Sequence, residues 1–257
     1  AFHRGHDGTA ESLRARLDVL KAEKVFVNLD DKLAQLGSYG GGNHFGECCA
    51  VEIEENAKAQ ATAAVFGLRE GATAMLSHCG SRGFGNILAT HQFKVLEKAL
   101  LDRGEAFPCG DRHLVYAVAG SPKADDYLDD MALGANFSTV NHLLINSLIA
   151  EAFAEIIPGI SADLIYYISH NIVRRENIDG MNVWVHRKGA TRAFPSGHAE
   201  LVGTPFEHTG HPILLPGNPV AGSAVMVAEK NARLSCFSIN HGAGRALGRK
   251  TATRELD

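Results

Sequence analysis

Four histidines share a setting. His44 stands in Gly42-Asn43-His44-Phe45 and His78 in His78-Cys79-Gly80-Ser81-Arg82-Gly83. His170 stands in Ser169-His170-Asn171, and His241 in Asn240-His241-Gly242-Ala243-Gly244-Arg245. Each ends an apolar run or sits in a glycine-rich turn, which is where a rigid scaffold presents chemistry. Singly, such a histidine is more often structural or solvated than a ligand. Four together point to a shared metal-bearing site, although imidazole does not name the metal.

Residues 36–47 are the densest stretch: Leu36-Gly37-Ser38-Tyr39-Gly40-Gly41-Gly42-Asn43-His44-Phe45-Gly46-Glu47. Glycine serves where backbone takes positive φ or a ligand comes close. Successive N–H groups in such a loop form a nest for an anion. Asn43, His44 and Glu47 add an amide, an imidazole and a carboxylate, so the stretch reads either as a site for a phosphate-bearing ligand with a metal beside it, or as a glycine-rich connection whose histidine is merely packed. His241 differs from the other histidines because small residues clear an approach path to it and Arg245 follows. Histidine serves as a nucleophile towards phosphorus, and arginine clamps phosphoryl oxygens. His186-Arg187-Lys188-Gly189-Ala190-Thr191-Arg192 reads either as a phosphate path or as a solvated charged turn. The small-residue loop from Pro216 to Ser223 reads as a wrap for a base or ribose, or as a turn. Cys48 and Cys49 are adjacent, so their side chains diverge on a strand and buried thiols are expected rather than a metal pair.

The chain has 257 residues, 45% hydrophobic and 21% charged, enough for a substantial core. A net charge of -4 argues against coating nucleic acid by bulk charge but allows a local basic groove. Five cysteines, an odd number, do not make a disulfide framework, so a reducing, cytoplasmic setting is expected. No apolar run has the length of a membrane span, and the first residues have no signal-peptide pattern. The sequence starts without methionine and is read as a portion of a longer natural chain.

The elements that must position these residues follow from periodicity. Leu13, Leu17 and Leu20 mark a helix capped by Thr9. Residues 50–54 alternate as a strand. Residues 56–68 fit a helix or a loop. Residues 72–78 form a buried strand that delivers His78 to its end, and residues 86–101 a helix. Residues 124–157 have the clearest helical period, with Leu144, Leu148, Ala152 and Ile156 on one face. Beyond Pro158-Gly159 come short strands at 164–168, 181–185, 212–215, 225–228 and 234–239. The expected fold is one α+β domain over 1–257, with a mainly antiparallel, sandwich-like β core flanked by helices.

Together the motifs resemble the RtcB family of GTP-dependent RNA ligases. The matching stretches are 36–47, 78–83, 127–131 with Asn141, His170-Asn171 with Glu176, 186–194, Pro216-Gly217 with Ser223, and 241–245, in the family's order. The resemblance implies joining of RNA 3′-phosphate or 2′,3′-cyclic phosphate ends to 5′-hydroxyl ends, in RNA repair or tRNA splicing. GTP would first give GMP to a histidine, which His241 matches. Manganese, as two ions, would be held by histidines matching His44, His78 and His170. Guanylate contacts would fall on Asn43, His44, Phe45, Gly46, Glu47, His170, Asn171, Pro216, Gly217, Asn218, Pro219, Ser223, His241, Gly242, Ala243 and Gly244. Arg82 resembles the arginine that meets an RNA phosphate. An activating helper protein is a further partner the resemblance allows. A monomer is expected, with no membrane association.

Four departures stand out. The family's Asp-x-Gly-x-Gly-Cys-like metal-binding stretch does not occur in these residues. Asn218-Pro219-Val220-Ala221-Gly222 replaces a Ser-Met-Gly-Thr-Ala-like run. Ala246-Leu247-Gly248-Arg249 replaces a Met-Ser-Arg-like run, and the family's distal lysine is not met. They define the alternatives: a metal-dependent phosphoesterase or nucleotidyl-transfer enzyme, or a catalytically impaired relative that binds RNA ends or nucleotide.

Overall fold

Capping explains where the helices begin. Thr9 accepts the Ser12 N–H and starts α1 (Ala10–Ala22). Asn28 does the same for α2 (Leu29–Leu33), which leads towards the glycine-rich loop. After β1 (Phe45–Ala50), Asn56 caps α3 (Ala57–Phe66), which ends at a left-handed Gly67. The segment open to two readings is therefore a helix. Next come β2 (Thr73–His78), α4 (Arg82–Asp102) and α5 (Pro122–Ile156), the last capped by Ser121. The remaining strands are β3 (Asn171–Ile178), β4 (Met181–Lys188), β5 (Ala190–Arg192), β6 (Ile213–Asn218), β7 (Gly222–Met226) and β8 (Ser238–Asn240).

This computed structural model describes residues 3–41, 44–218, 220–242, 251 and 254–255. The strands pair as β1–β2, β3–β4, β5–β8 and β6–β7. The last three pairs are antiparallel. The α+β class expected from sequence is the class observed. Among the described residues, no helix is long and apolar enough to cross a membrane.

The chain divides into two compact units. The first comprises Ala1–Gly46 and Ser77–Leu164. Its core is built on Leu20, Phe26, Phe84, Leu88 and Phe137. Phe84 stacks between Phe26, at 5.0 Å, and Phe137, at 4.8 Å. Beside this core, Arg16 of α1 forks onto Asp130 of α5, which also accepts from Gln92 of α4 at 2.6 Å. A buried carboxylate satisfied by a guanidinium and an amide fixes the three helices in register.

The second unit comprises Glu47–Leu76 and Ile165–Asp257. Ile172, Val173 and Ile178 of β3 are buried with Phe194, Leu201 and Ile213. Arg187 of β4, 3% exposed, forks onto Glu176 of β3 at 2.6 and 2.7 Å. Burial inside a bidentate ion pair removes Arg187 from the phosphate path suggested by the basic run 186–192.

Three local expectations change. The first strand lies at Phe45–Ala50 rather than 50–54, although Val51 still exchanges backbone bonds with Gly71 and Ala72. Residues 164–168 are not a strand, and β3 follows them instead. On α5, Leu128, Ala132, Ala135, Phe137 and Ile145 are buried, whereas Leu144, Leu148 and Ile156 are exposed.

Candidate functional site

In the first unit the glycine-rich loop is tied down by its own neighbours. The Ser38 hydroxyl donates to the Gln35 carbonyl at 2.6 Å and accepts from Arg82 Nε at 3.3 Å. Gly40 has φ +72°, and a Cβ there would fall 1.2 Å from Arg82 Nη1. The Arg82 guanidinium thus lies against the Gly40 backbone, whose positive φ itself favours glycine.

His44 directs Nδ1 at the Tyr39 carbonyl, 2.8 Å away. A carbonyl only accepts, so Nδ1 carries the proton and the neutral ring keeps its lone pair on Nε2. A backbone oxygen thus fixes the ring and its tautomer, as it also does for His142 and His241. β2 delivers the buried His78 at its C-terminal end, as its sequence predicts. The His78 and His44 rings lie 6.0 Å apart, and Phe45 meets His78 edge-on at 5.6 Å. Nearby, burial holds the His142 imidazole below its ordinary pKa. Burial also pushes the Cys79 thiol up to about 12, which makes it inert as a nucleophile.

In the second unit His170 and His241 stack, with centroids 4.2 Å apart and planes inclined by 10°. His241 Nδ1 donates to the Gly189 carbonyl at 2.8 Å, so the lone pair of its neutral form sits on Nε2. Gly189 takes φ +66° at the β4–β5 junction, and its N–H donates to Asn171 Oδ1 at 2.9 Å. Asn171, expected from sequence to meet guanylate, here fixes the glycine that orients His241.

A second chain of bonds joins three stretches of this unit. The Gly217 N–H donates to Ser223 Oγ at 3.0 Å, and the Ser223 hydroxyl donates to the Glu47 carboxylate. A side chain at Gly242 would meet the Pro216 carbonyl at 3.6 Å, so Gly242 lies beside β6. Asn218 Oδ1 accepts the Val220 and Ala221 N–H groups, each at 2.9 Å, and so shapes the β6–β7 turn. Gly46 lies on β1 next to Glu47. Asn43, Pro219, Ala243, Gly244 and Arg245 lie outside the described residues. Reading by side chain missed Tyr39 and Gly189, since both act through backbone carbonyls. Only the glycine following Arg187-Lys188 hinted at the second.

A family model described as tRNA-splicing ligase RtcB matches residues 5–257. The tRNA-splicing ligase RtcB of Thermococcus kodakarensis is 39% identical over 230 residues, covering 86% of this chain and 46% of that protein. That of Pyrococcus horikoshii is 37% identical over 231 residues, covering 86% of this chain and 26% of that protein. That of Archaeoglobus fulgidus is 36% identical over 264 aligned positions, covering 99% of this chain and 52% of that protein. The chain thus spans between 26% and 52% of the length of these relatives. With the match running through nearly all of its residues, the chain belongs to the RtcB family.

Proposed function

We propose that this protein takes part in RNA ligation, joining a 3′-phosphate or 2′,3′-cyclic phosphate end to a 5′-hydroxyl end with GTP as the energy source. The observation that carries the reading is the orientation of His241. Its Nδ1–H is committed to Gly189, which aims the basic Nε2 away from that anchor as a phosphorus nucleophile requires.

The chemistry balances in three steps. The Nε2 lone pair attacks the α-phosphorus of GTP; a phosphorus–nitrogen bond forms and pyrophosphate leaves with the electrons of the broken phosphoanhydride bond. A 3′-phosphate oxygen of RNA then attacks the same phosphorus, freeing His241 and leaving GMP linked to the RNA end. The 5′-hydroxyl, losing its proton, attacks the RNA phosphorus and GMP departs. A cyclic phosphate end first takes up water to open to the 3′-monophosphate.

His44, His78 and His170 are the side chains proposed to hold Mn2+, as two ions. The donor set fits: His44 presents an Nε2 lone pair with its Nδ1 anchored on Tyr39. A divalent ion so held supplies positive charge to phosphoryl oxygens as charge builds on them. Arg82 is proposed to meet the RNA phosphate. The Glu47–Ser223–Gly217 chain is proposed to shape the guanosine contact, together with Pro216 and Gly242.

The test uses RNA strands bearing a 3′-phosphate and a 5′-hydroxyl, with GTP and Mn2+. A joined strand that requires GTP, and forms neither with ATP nor with His241→Ala, is the expected product. Cleavage or dephosphorylation of the ends without joining would replace this reading by the phosphoesterase alternative.

A further inference from the structure

Asn141, on α5, has no exposed surface and uses its whole hydrogen-bonding capacity. Its Oδ1 accepts the Gly37 N–H at 2.8 Å and the Ser38 N–H at 3.3 Å. Its Nδ2 donates to the Gly80 carbonyl at 2.9 Å and the Ser38 carbonyl at 3.2 Å. Two amides on one side and two carbonyls on the other fix which atom is oxygen and which nitrogen. Next to it, His142 directs Nδ1 at the Ser138 carbonyl at 2.8 Å, and its Nε2 accepts the Cys79 N–H at 3.4 Å.

These partners are not arbitrary. Gly37 and Ser38 lead directly into Tyr39, whose carbonyl orients His44. Cys79 and Gly80 follow His78 immediately. One buried amide therefore grips both stretches that carry these histidines, which lie more than thirty residues apart in sequence. Nothing else in a helix interior calls for a buried asparagine, since an apolar residue packs there without polar groups to satisfy.

We infer that Asn141 is a positioning residue that locks the loop orienting His44 to the turn carrying His78, and so sets the separation of the two rings. The inference rests on the reading of these histidines as metal ligands, and it acts through them rather than on substrate. Outer partners of metal-bound histidines typically change metal affinity by about 10–100-fold when removed.

The test begins with metal-free protein. Asn141→Ala should speed hydrogen exchange at the Gly37 amide and shift the ring-nitrogen NMR signals of His44 and His78. Asn141→Asp keeps the two acceptor contacts but loses both donations, to the Gly80 and Ser38 carbonyls; it should move the His78 signals while the Gly37 amide stays protected. Ile145→Ala, a cavity one turn along the same helix with the Asn141 amide intact, controls for simple destabilisation and should leave both rings in place. Titration with Mn2+ alone should then show affinity about 10–100-fold weaker for Asn141→Ala, but not for Ile145→Ala. Unmoved ring signals in both Asn141 variants, with Mn2+ affinity unchanged, would overturn the inference. If wild-type Mn2+ affinity is insensitive to His44→Ala and His78→Ala, the ligand reading fails. The metal-free ring signals then decide the positioning role alone.

Discussion

The Nδ1–H of His241 donates to the carbonyl oxygen of Gly189 across 2.8 Å, and Gly189 holds this position with φ +66°. A left-handed glycine thus decides which nitrogen of the neutral histidine keeps its lone pair. Gly189→Ala forces a side chain into that backbone region at a cost of about 1–2 kcal/mol. The expected outcome is slower guanylylation of His241 with the folded state retained, read by single-turnover labelling beside circular dichroism. Labelling at the wild-type rate would mean that the Gly189 carbonyl does not orient the ring.

Gly40 and Arg82 make a parallel case in the other unit. Because a Cβ on Gly40 would overlap the guanidinium, Gly40→Ala should copy the defect of Arg82→Ala. Both variants should weaken binding of a 3′-phosphate RNA end and leave transfer of GMP to His241 intact. Filter binding with RNA that differs only in its terminal phosphate separates these effects. A Gly40→Ala protein that discriminates the phosphate as well as wild type would contradict the placement of Arg82.

The Arg187–Glu176 pair supports structure rather than phosphate binding. Arg187→Ala leaves a buried carboxylate alone and should cost about 3–5 kcal/mol. Replacing both partners by apolar residues of similar volume, as in Arg187→Met with Glu176→Leu, should recover most of that loss. Urea unfolding of the single and double variants measures it. A single variant as stable as wild type, but defective in RNA binding, would restore Arg187 to the phosphate path.

His211 makes stability depend on pH. It is 2% exposed, accepts the Phe194 N–H through Nε2 and directs Nδ1 at the Pro212 carbonyl. Burial lowers its pKa from 6.5 to about 4. The folded state therefore favours the neutral ring, and the unfolded chain takes up the proton first. Its contribution is full above pH 6.5 and is lost as pH falls towards 4, by about 3 kcal/mol in all. Burial lowers the His142 pKa as well, which adds a loss in the same direction. Unfolding midpoints should fall from pH 7.5 to pH 5, and less steeply in His211→Gln. An equal slope in that variant would assign the dependence elsewhere.

What the sequence disclosed, and what it hid, divides along physical lines. Thr9 and the leucine spacing located α1, because a cap and a buried stripe are both written in side chains. β2 was legible with His78 at its end, since a continuous apolar run needs no partner to be recognised. β3 was not, because Arg174, Arg175 and Glu176 break its apolar pattern and the Glu176 charge is neutralised only by Arg187 on β4. The Leu144–Leu148–Ile156 face of α5 has correct helical spacing, yet the core lies against Leu128, Ala132 and Ile145. Periodicity identifies a helix but does not say which of several apolar stripes is buried. Likewise the histidines were visible one by one, while the carbonyls of Tyr39 and Gly189 that orient two of them were not.

The most direct measurement is covalent labelling. The protein is incubated with GTP labelled at the α-phosphate and Mn2+, then denatured and treated with acid or base. A phosphorus–nitrogen bond is labile in acid and stable in base, unlike a phosphoester of serine. The account predicts a base-stable, acid-labile GMP adduct that maps to His241 and is abolished by His241→Ala with the fold intact. An adduct that survives acid, or one undiminished in His241→Ala, would contradict it.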